Sequence, residues 1–304
     1  MAKRILAIGG SAFTGRVFSI VASRDSEVEL HVVNRGSFPL NLDNVSQYKC
    51  DRHDTMRLAR VLPSLKFDAI VDFCAYSPGE IRAVQRALDG RFGQYIFFST
   101  ASVYSPGDNG VKTEDSPVVS GLADGAVEEY LAGKVRLEEE LYEEHLRSGV
   151  PYTILRPTFI YGPFNYAPRE SYFIEMIARG HNVPIPSDAT ARFSFVYVVD
   201  VANATLRCVG DTRAYNETFN LAAPEHVTYG RLMSDFERCN GGPFLSHEVT
   251  VREVEEQNIP LPFPLTDDVL YNGEKIAKTF DFSYTPFAEG MEKTFKVFYS
   301  LYTS

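Results

Sequence analysis

A short apolar run that passes directly into a glycine-rich turn is the feature that most constrains the fold of this chain. The run covers residues 5–8, and the turn reads Gly9, Gly10, Ser11, Ala12, Phe13, Thr14 and Gly15. A helical pattern continues from there to about residue 23. A strand, a glycine turn and a helix in this order leave the first-turn amides of the helix free to bind an anion such as a diphosphate. A plain turn in a flavodoxin-like sheet is the open alternative.

The rest of the first half alternates strand and helix patterns. Apolar strand patterns occur at residues 28–33, 47–50, 69–73, 95–99 and 152–155, and helical patterns at 78–88 and 128–145. Such alternation predicts an α/β fold, with a parallel sheet covered by helices on both faces. We expect a dinucleotide-binding domain over residues 1–163, to which residues 191–223 return. Residues 164–304 are expected to form mainly a smaller C-terminal α/β lobe that binds substrate.

The amino-acid composition limits which kinds of molecule the chain is expected to bind. Thirty basic and forty acidic residues give a net charge of −10, which argues against non-specific binding to nucleic acid or to an anionic membrane. No apolar run is long enough to span a bilayer. The four cysteines are scattered and the six histidines show no ligand spacing, so we expect a cytoplasmic protein with reduced thiols and without a metal site.

The end of the second predicted strand bears on the choice of cofactor. NAD sites usually carry an acidic residue here, which binds the ribose 2′-hydroxyl. This chain has Asn34 followed by Arg35, and Arg16 could add a second positive charge. A neutral side chain beside guanidinium groups suits a 2′-phosphate. The pattern favours NADP over NAD, with an exposed turn arginine as the alternative interpretation of Arg35.

Tyr130 and Lys134 form the candidate catalytic pair. Four residues apart on a predicted helix, they share one face. A nearby ammonium lowers the pKa of a phenol, so the pair could exchange a proton with an alcohol or carbonyl while hydride moves to or from a cofactor. Thr100, or its neighbour Ser99, at the end of the fifth strand could hydrogen-bond the same substrate oxygen.

Taken in order, these motifs resemble the short-chain dehydrogenase/reductase superfamily, in its extended branch of NAD(P)-dependent epimerases and dehydratases. The matching segments are the glycine turn, Cys50 to Arg52, Ser99 to Tyr104, Tyr130 to Lys134, 155–163, 197–202 and 219–221. The resemblance implies a doubly wound Rossmann sheet and hydride transfer on a nucleotide sugar or a related alcohol or carbonyl. It implies Tyr130 as acid/base, Lys134 on the nicotinamide ribose and Thr100 as the polarising hydroxyl.

The resemblance also implies the remaining site residues. For the cofactor these are Asp51 at the adenine amino group, Arg52 beside it, Phe73, Cys74, Ala75 and Ser99 along the crevice, and Pro157 near the carboxamide. For the substrate we expect Ser102 and Tyr104, and also Arg192 at a diphosphate, with a surface arginine as the alternative. Family members often dimerise through the helix that carries Tyr130, so a homodimer is expected.

Departures from the family pattern leave other functions open. Ala12 replaces a glycine, and its methyl could displace a diphosphate outward. The turn and the sequence Asn34-Arg35-Gly36 resemble an atypical subgroup that includes chloroplast-type members described as RNA-binding. A dinucleotide-binding sensor or scaffold without turnover is therefore an alternative, and RNA binding a weaker one. Epimerisation, reduction and dehydration share the same first step and are not separated. A cluster of glutamates at 138–140 and 143–144 is expected to be a solvated helix face.

Overall fold

A parallel seven-stranded sheet forms the centre of the molecule. The computed structural model describes residues 2–106, 110–119 and 125–304. Its strands are β1 (Lys3–Ile8), β2 (Val28–Asn34), β3 (Val45–Lys49), β4 (Ala69–Asp72), β5 (Tyr95–Phe98), β6 (Tyr152–Pro157), β7 (Phe159–Tyr161), β8 (Val183–Pro186), β9 (Phe193–Tyr197), β10 (Glu217–Leu221), β11 (His226–Val227) and β12 (Ser246–Val249). The main sheet has the order β10-β6-β5-β4-β1-β2-β3. The predicted α/β class and doubly wound parallel sheet are confirmed.

Helices cover both faces of this sheet and also build the smaller lobe. They are α1 (Phe13–Ala22), α2 (Thr55–Val61), α3 (Glu80–Leu88), α4 (Ala126–Ser148), α5 (Glu170–Ala178), α6 (Val198–Cys208), α7 (Tyr229–Asn240), α8 (Val251–Gln257), α9 (Glu274–Phe280) and α10 (Phe287–Thr303). One apolar core holds Phe18 of α1 and Val201 of α6, and a second, on the other face, holds Ile81 of α3 and Leu137 of α4. The predicted helices are present, with bounds that differ by at most three residues.

The strand order places a crevice next to β1. The chain runs from β1 outward through β2 to β3, then crosses to β4 on the opposite side of β1. Ile8 at the end of β1 pairs with Asp72 at the end of β4. Ligands of open α/β sheets bind at the carboxyl ends of the strands where the order reverses. The glycine turn after β1 and the loop after β4 both start at this point.

The later segments build a smaller lobe and also return to the main sheet. Two small sheets, β11-β9-β7 and β12-β8, belong to the lobe. Of the stretch 191–223, α6 packs against α1 and β10 pairs with β6 at the edge of the main sheet. Strand β9 instead lies in the three-stranded sheet. The division of the chain near residue 163 stays a prediction.

The expectation that the glutamates of α4 form a solvated face is wrong for three of the five, whereas Glu139 and Glu143 are exposed. Glu138, Glu140 and Glu144 are all buried. Glu138 pairs with Arg156 of β6, while Glu140 accepts hydrogen bonds from the amides of Gly79 and Arg82 at the start of α3. Buried carboxylates are tolerated where cations or N–H donors satisfy them, so these residues attach α4 to its neighbours.

Among the helices of the described ranges, none combines the length and the apolarity that crossing a membrane requires.

Candidate active site

The glycine turn brings β1 and α1 into close contact. Gly9 has a φ of +84°, and a Cβ at that position would lie 2.8 Å from the Sγ atom of Cys74. At Gly15, a Cβ would lie 2.4 Å from the carbonyl oxygen of Gly9. Neither position admits a side chain without movement of its neighbours, so both glycines are required by the geometry of the turn.

Ala12 precedes α1 with an extended backbone, φ −125° and ψ 143°. Alanine adopts these angles without strain. In the described chain no side chain caps this helix, and its first turn carries no acidic residue. The first-turn amides are thus available to an anion, and the turn fits a diphosphate.

The side chain of Asn34, at the end of β2, is engaged in a local hydrogen bond. Its Oδ1 atom accepts a hydrogen bond from the amide of Gly36 at 2.7 Å, so the side chain stabilises its own turn. Arg35 is exposed, and its charge adds a small contribution to the lowered pKa of Asp51, after the larger effect of the hydrogen bonds from His53. The Nη1 atom of Arg16 donates to the carbonyl of Pro39 at 3.2 Å. Two guanidinium groups therefore border this end of the crevice.

Asp51 and Arg52 are adjacent in sequence but lie in different environments. Asp51 is half-exposed and accepts hydrogen bonds from the amide and Nδ1 of His53, at 3.0 and 2.7 Å. Arg52 is buried, and its two Nη atoms bind the two carboxylate oxygens of Asp72 at 2.7 and 2.8 Å. Arg52 also approaches the Sγ atom of Cys74 at 3.6 Å. Its guanidinium thus contacts both the end of β4 and the loop that follows it, and it stabilises that loop.

Phe73, Cys74 and Ala75 follow β4, where the resemblance places them along the cofactor. The ring of Phe73 packs on that of Phe98, with ring centroids 4.4 Å apart. Burial raises the pKa of the Cys74 thiol to about 11, so this thiol is not reactive at neutral pH. Ala75 is fully buried, and its carbonyl faces Lys134.

Lys134 is a buried and hydrogen-bonded cation of the site. It is 2% exposed, and its Nζ atom donates to the carbonyls of Ala75 and Phe98, both at 2.8 Å. Nζ lies 4.7 Å from the ring centroid of Tyr76 and 5.8 Å from that of Tyr130. Burial lowers the pKa of the ammonium to about 8.

The prediction of a lowered pKa for Tyr130 is wrong in this structure. The residue is 40% exposed, but its neighbours bury enough of the phenol to raise its pKa, and the Tyr166 phenol raises it further. The hydrogen bonds of Lys134 go to main-chain carbonyls rather than to the phenol. The cation that does lower this pKa is Arg169, which the sequence analysis did not single out.

The segment after β5 contains both exposed and buried members of the predicted set. Thr100 Oγ1 accepts a hydrogen bond from the amide of Ser102 at 3.2 Å. The Ser99 hydroxyl is buried and has no hydrogen-bond partner within residues 2–106, 110–119 and 125–304. Tyr104 is buried and donates to Asn220 Oδ1 at 2.6 Å. The hydroxyl of Tyr104 thus already has a partner within the protein, and its substrate-binding role stays a prediction.

Pro157 and Arg192 lie at the lobe side. Pro157 ends β6, is buried and pairs with Leu221. Arg192 is exposed, and its guanidinium binds Asp268 Oδ2 through Nη2 at 2.5 Å and Nε at 3.1 Å. A substrate phosphate would compete with this carboxylate, and the role of Arg192 stays a prediction.

Sequence reasoning missed an aromatic border around the crevice. Phe164 lies 5.0 Å from the guanidinium of Arg16, and the Tyr166 ring meets that of Phe13 edge-on at 6.1 Å. The Tyr76 ring lies 6.3 Å from that of Tyr130. Tyr76 follows the end of β4 at the carboxyl edge of the main sheet, where ligands of such sheets bind, and this position was the available signal for it. Phe164 and Tyr166 follow β7 of the three-stranded sheet, and their sequence carries no comparable signal.

Comparison with known proteins agrees with this geometry. Residues 5–222 match the NAD dependent epimerase/dehydratase family. The chloroplast stem-loop binding protein of 41 kDa b from Arabidopsis thaliana is 27% identical over 255 residues, which make up 79% of this chain and 64% of that protein. UDP-glucose 4-epimerase from Vibrio cholerae is 22% identical over 160 residues, 52% of this chain and 46% of that protein. The chain thus spans less than two thirds of the length of these curated relatives.

Solved structures share the fold over nearly the whole chain. The crystal structure of dTDP-glucose 4,6-dehydratase from Bacillus anthracis in complex with NAD superposes with a TM-score of 0.79 and 19% identity. The superposition covers 99% of this chain and 97% of that structure. At this level of identity the likeness concerns the fold.

Proposed function

Because the chain belongs to the NAD-dependent epimerase/dehydratase family, we propose that it transfers hydride between a nicotinamide cofactor and an alcohol or carbonyl of a nucleotide-sugar-like substrate. The observation that carries this proposal is the position of Lys134. Its ammonium is fixed at the carboxyl ends of β4 and β5, 5.8 Å from the ring of Tyr130. Thr100 follows β5 at the same edge.

Different residues at this edge of the sheet bind different parts of the cofactor. The first-turn amides of α1 suit the diphosphate, and Asp51 suits the adenine amino group. Lys134 suits the nicotinamide ribose, beside Phe73 and Ala75. When bound, the nicotinamide supplies the hydride acceptor and donor.

Tyr130 donates a proton to the reacting substrate oxygen or accepts one from it. Its raised pKa keeps the phenol protonated at neutral pH, which is the form that donates a proton to a substrate carbonyl. Removal of a proton from an alcohol is the reverse step, and the positive charge of Arg169 favours the phenolate that it needs. Thr100 orients the same substrate oxygen.

We propose NADP as the preferred cofactor, with NAD as the alternative. The end of β2 presents Asn34, turned onto its own backbone, together with the guanidinium groups of Arg35 and Arg16. These groups favour a 2′-phosphate, which an acidic residue would repel. Affinities for NADPH and NADH, measured from the fluorescence of the reduced nicotinamide, test this preference.

The experiment for the catalytic proposal is Tyr130→Phe. Turnover of UDP-sugars, followed by product analysis with NAD or NADP, is expected to fall by about 10²–10⁴-fold. Cofactor affinity stays close to that of the wild type, because the phenylalanine ring keeps the packing.

Tyr142→Phe is the matched control, since Tyr142 is an exposed tyrosine of the same helix. Full activity of Tyr130→Phe would falsify the catalytic assignment. Cofactor binding without turnover of any substrate would favour the sensor or scaffold alternative.

A second candidate function is binding of a nucleic-acid stem-loop, because the Arabidopsis relative is named for it. The net charge of −10 opposes it. RNA stem-loop binding that weakens steeply with added salt, in protein free of cofactor, would support this candidate.

We also propose a homodimer that forms through α4, in a reducing compartment such as the cytoplasm. Val127, Tyr142 and Leu146 expose apolar surface on this helix, and all four cysteines are free. Light scattering of the purified protein, with Leu146→Glu as the disruptive variant, tests the dimer.

A further inference from the structure

His53 lies between two carboxylates at the edge of the crevice where the adenine is proposed to bind. Its Nδ1 atom is 2.7 Å from Asp51 Oδ1, and its Nε2 atom is 2.9 Å from Glu80 Oε1. Asp51 follows β3, whereas Glu80 is the first residue of α3. The imidazole therefore connects the loop after β3 with the start of α3.

Both contacts of His53 require a proton on both ring nitrogens. A neutral imidazole has one N–H donor and one lone pair. A lone pair that faces a carboxylate oxygen is repelled, so a neutral ring can satisfy only one of the two partners. The imidazolium satisfies both, and the two carboxylates raise the pKa of His53, with the Glu80 hydrogen bond as the largest cause.

The charges around His53 come from three segments. Asp51 and Glu80 face the ring directly. Arg52 lies behind Glu80, with its Nε atom 3.6 Å from Glu80 Oε2, and Arg35 acts on Asp51 from the loop after β2. The two carboxylates are closest to the ring, so the net effect favours the imidazolium.

Hydrogen bonds connect Glu80 with the loop that holds Lys134 of the catalytic pair. The Oε2 atom of Glu80 accepts a hydrogen bond from the amide of Tyr76 at 2.9 Å. Tyr76 follows Ala75, whose carbonyl accepts a hydrogen bond from Lys134 at 2.8 Å. One chain of hydrogen bonds and adjacent residues thus connects the Asp51 carboxylate with the loop that fixes the Lys134 ammonium.

We infer that His53, as an imidazolium, is a positioning residue that holds Asp51 with its second carboxylate oxygen free for the adenine amino group and fixes Glu80 against the loop after β4. The inference rests on the proposed cofactor site. Loss of the proton releases one of the two carboxylates, so the affinity for the adenine part of the cofactor falls as pH rises through the titration of His53.

The test compares the wild-type chain with His53→Gln. The probes are NADH and ADP-ribose, because neither carries the 2′-phosphate, which titrates itself. Dissociation constants are measured by fluorescence and calorimetry from about pH 6 to about pH 9. We expect the wild type to bind about 10-fold more tightly than the variant at the acidic end, and the ratio to approach one at the alkaline end.

His181→Gln is the matched control, because His181 is an exposed histidine in a different part of the molecule. It should retain the wild-type profile, and NMR of the His53 ring should show a pKa above the ordinary histidine value. A pH-independent ratio for His53→Gln overturns the inference while NADH binding still supports the proposed cofactor site. Absence of NADH binding at every pH overturns both.

Discussion

Lys134 donates a hydrogen bond from Nζ to the carbonyl oxygen of Phe98, the last residue of β5, at 2.8 Å. A second bond of the same length to Ala75 fixes α4 to the loop after β4. The ammonium is therefore held at the carboxyl ends of two neighbouring strands before any ligand arrives. Since burial lowers its pKa to about 8, it is charged at neutral pH and titrates just above it.

The first prediction concerns the pH dependence of turnover. At saturating cofactor and substrate, kcat is expected to fall as pH rises through about 8, because Lys134, proposed to bind the nicotinamide ribose, loses its charge and one of its three N–H donors. The measurement is kcat as a function of pH in the wild type and in His53→Gln, in which this fall should persist. An unchanged kcat up to the titration range of an ordinary lysine would contradict the prediction.

Stability is expected to respond in the opposite direction to the same titration. The pKa of Lys134 is lowered in the folded state from an ordinary 10.5 to about 8. Between these values the unfolded chain binds more protons, so this group alone makes stability rise with pH in that window. Urea unfolding of the wild type and Lys134→Met over this range measures it. Lys134→Met should lack the rise and lose about 1–3 kcal/mol overall, because two buried carbonyls lose their donor.

The third prediction concerns Gly15. In Gly15→Ala the added Cβ meets the Gly9 carbonyl oxygen, so β1 and α1 must separate. We expect a loss of about 1–3 kcal/mol in the free energy of unfolding, together with weaker NADH binding. Urea unfolding and fluorescence titration measure the two effects.

Gly230→Ala is the control for that variant. Outside the backbone of its own helix, the only described atom within 4 Å of a Cβ at Gly230 is Thr228 Oγ1, at 3.9 Å, and the residue lies in α7. Alanine is the better helix former, so stability should stay the same or rise by up to about 1 kcal/mol. Equal losses in both variants would mean that the close approach at Gly15 has no special role.

The parts of the fold that follow local patterns could be predicted from sequence. The strand before Gly9 and the helix after it depend on neighbouring residues, and the structure confirms them. The environments of Arg52 and Glu138 could not be predicted in this way. Their partners, Asp72 and Arg156, lie twenty and eighteen residues away and come from other elements. The sequence alone does not show whether a charged side chain is exposed to solvent, because its exposure depends on how its helix or loop packs.

The candidate site shows the same division. The positions of Tyr130 and Lys134 on one helix follow from their spacing. The pKa of Tyr130 does not, because it depends on Tyr166 and Arg169, which reach the crevice from the segment after β7. No local pattern connects that segment with α4.

The last prediction concerns Glu170, which is fully buried at the start of α5. Its carboxylate accepts hydrogen bonds from the amide of Gly162 at 3.1 Å and from Asn165 Nδ2 at 3.0 Å. Burial nevertheless outweighs these contacts and raises its pKa from 4.5 to about 7. In that window the folded state binds more protons than the unfolded chain, so the contribution of Glu170 to stability falls as pH rises, by about 3 kcal/mol in total.

Urea unfolding at about pH 5 and about pH 8 in the wild type and Glu170→Gln measures this contribution. The variant cannot ionise, so the free energy of unfolding should depend less on pH than in the wild type. Glu175→Gln, which changes a more exposed glutamate of the same helix paired with Arg179, should keep the wild-type dependence. Parallel pH profiles for wild type and Glu170→Gln would show that the buried carboxyl does not titrate in this window.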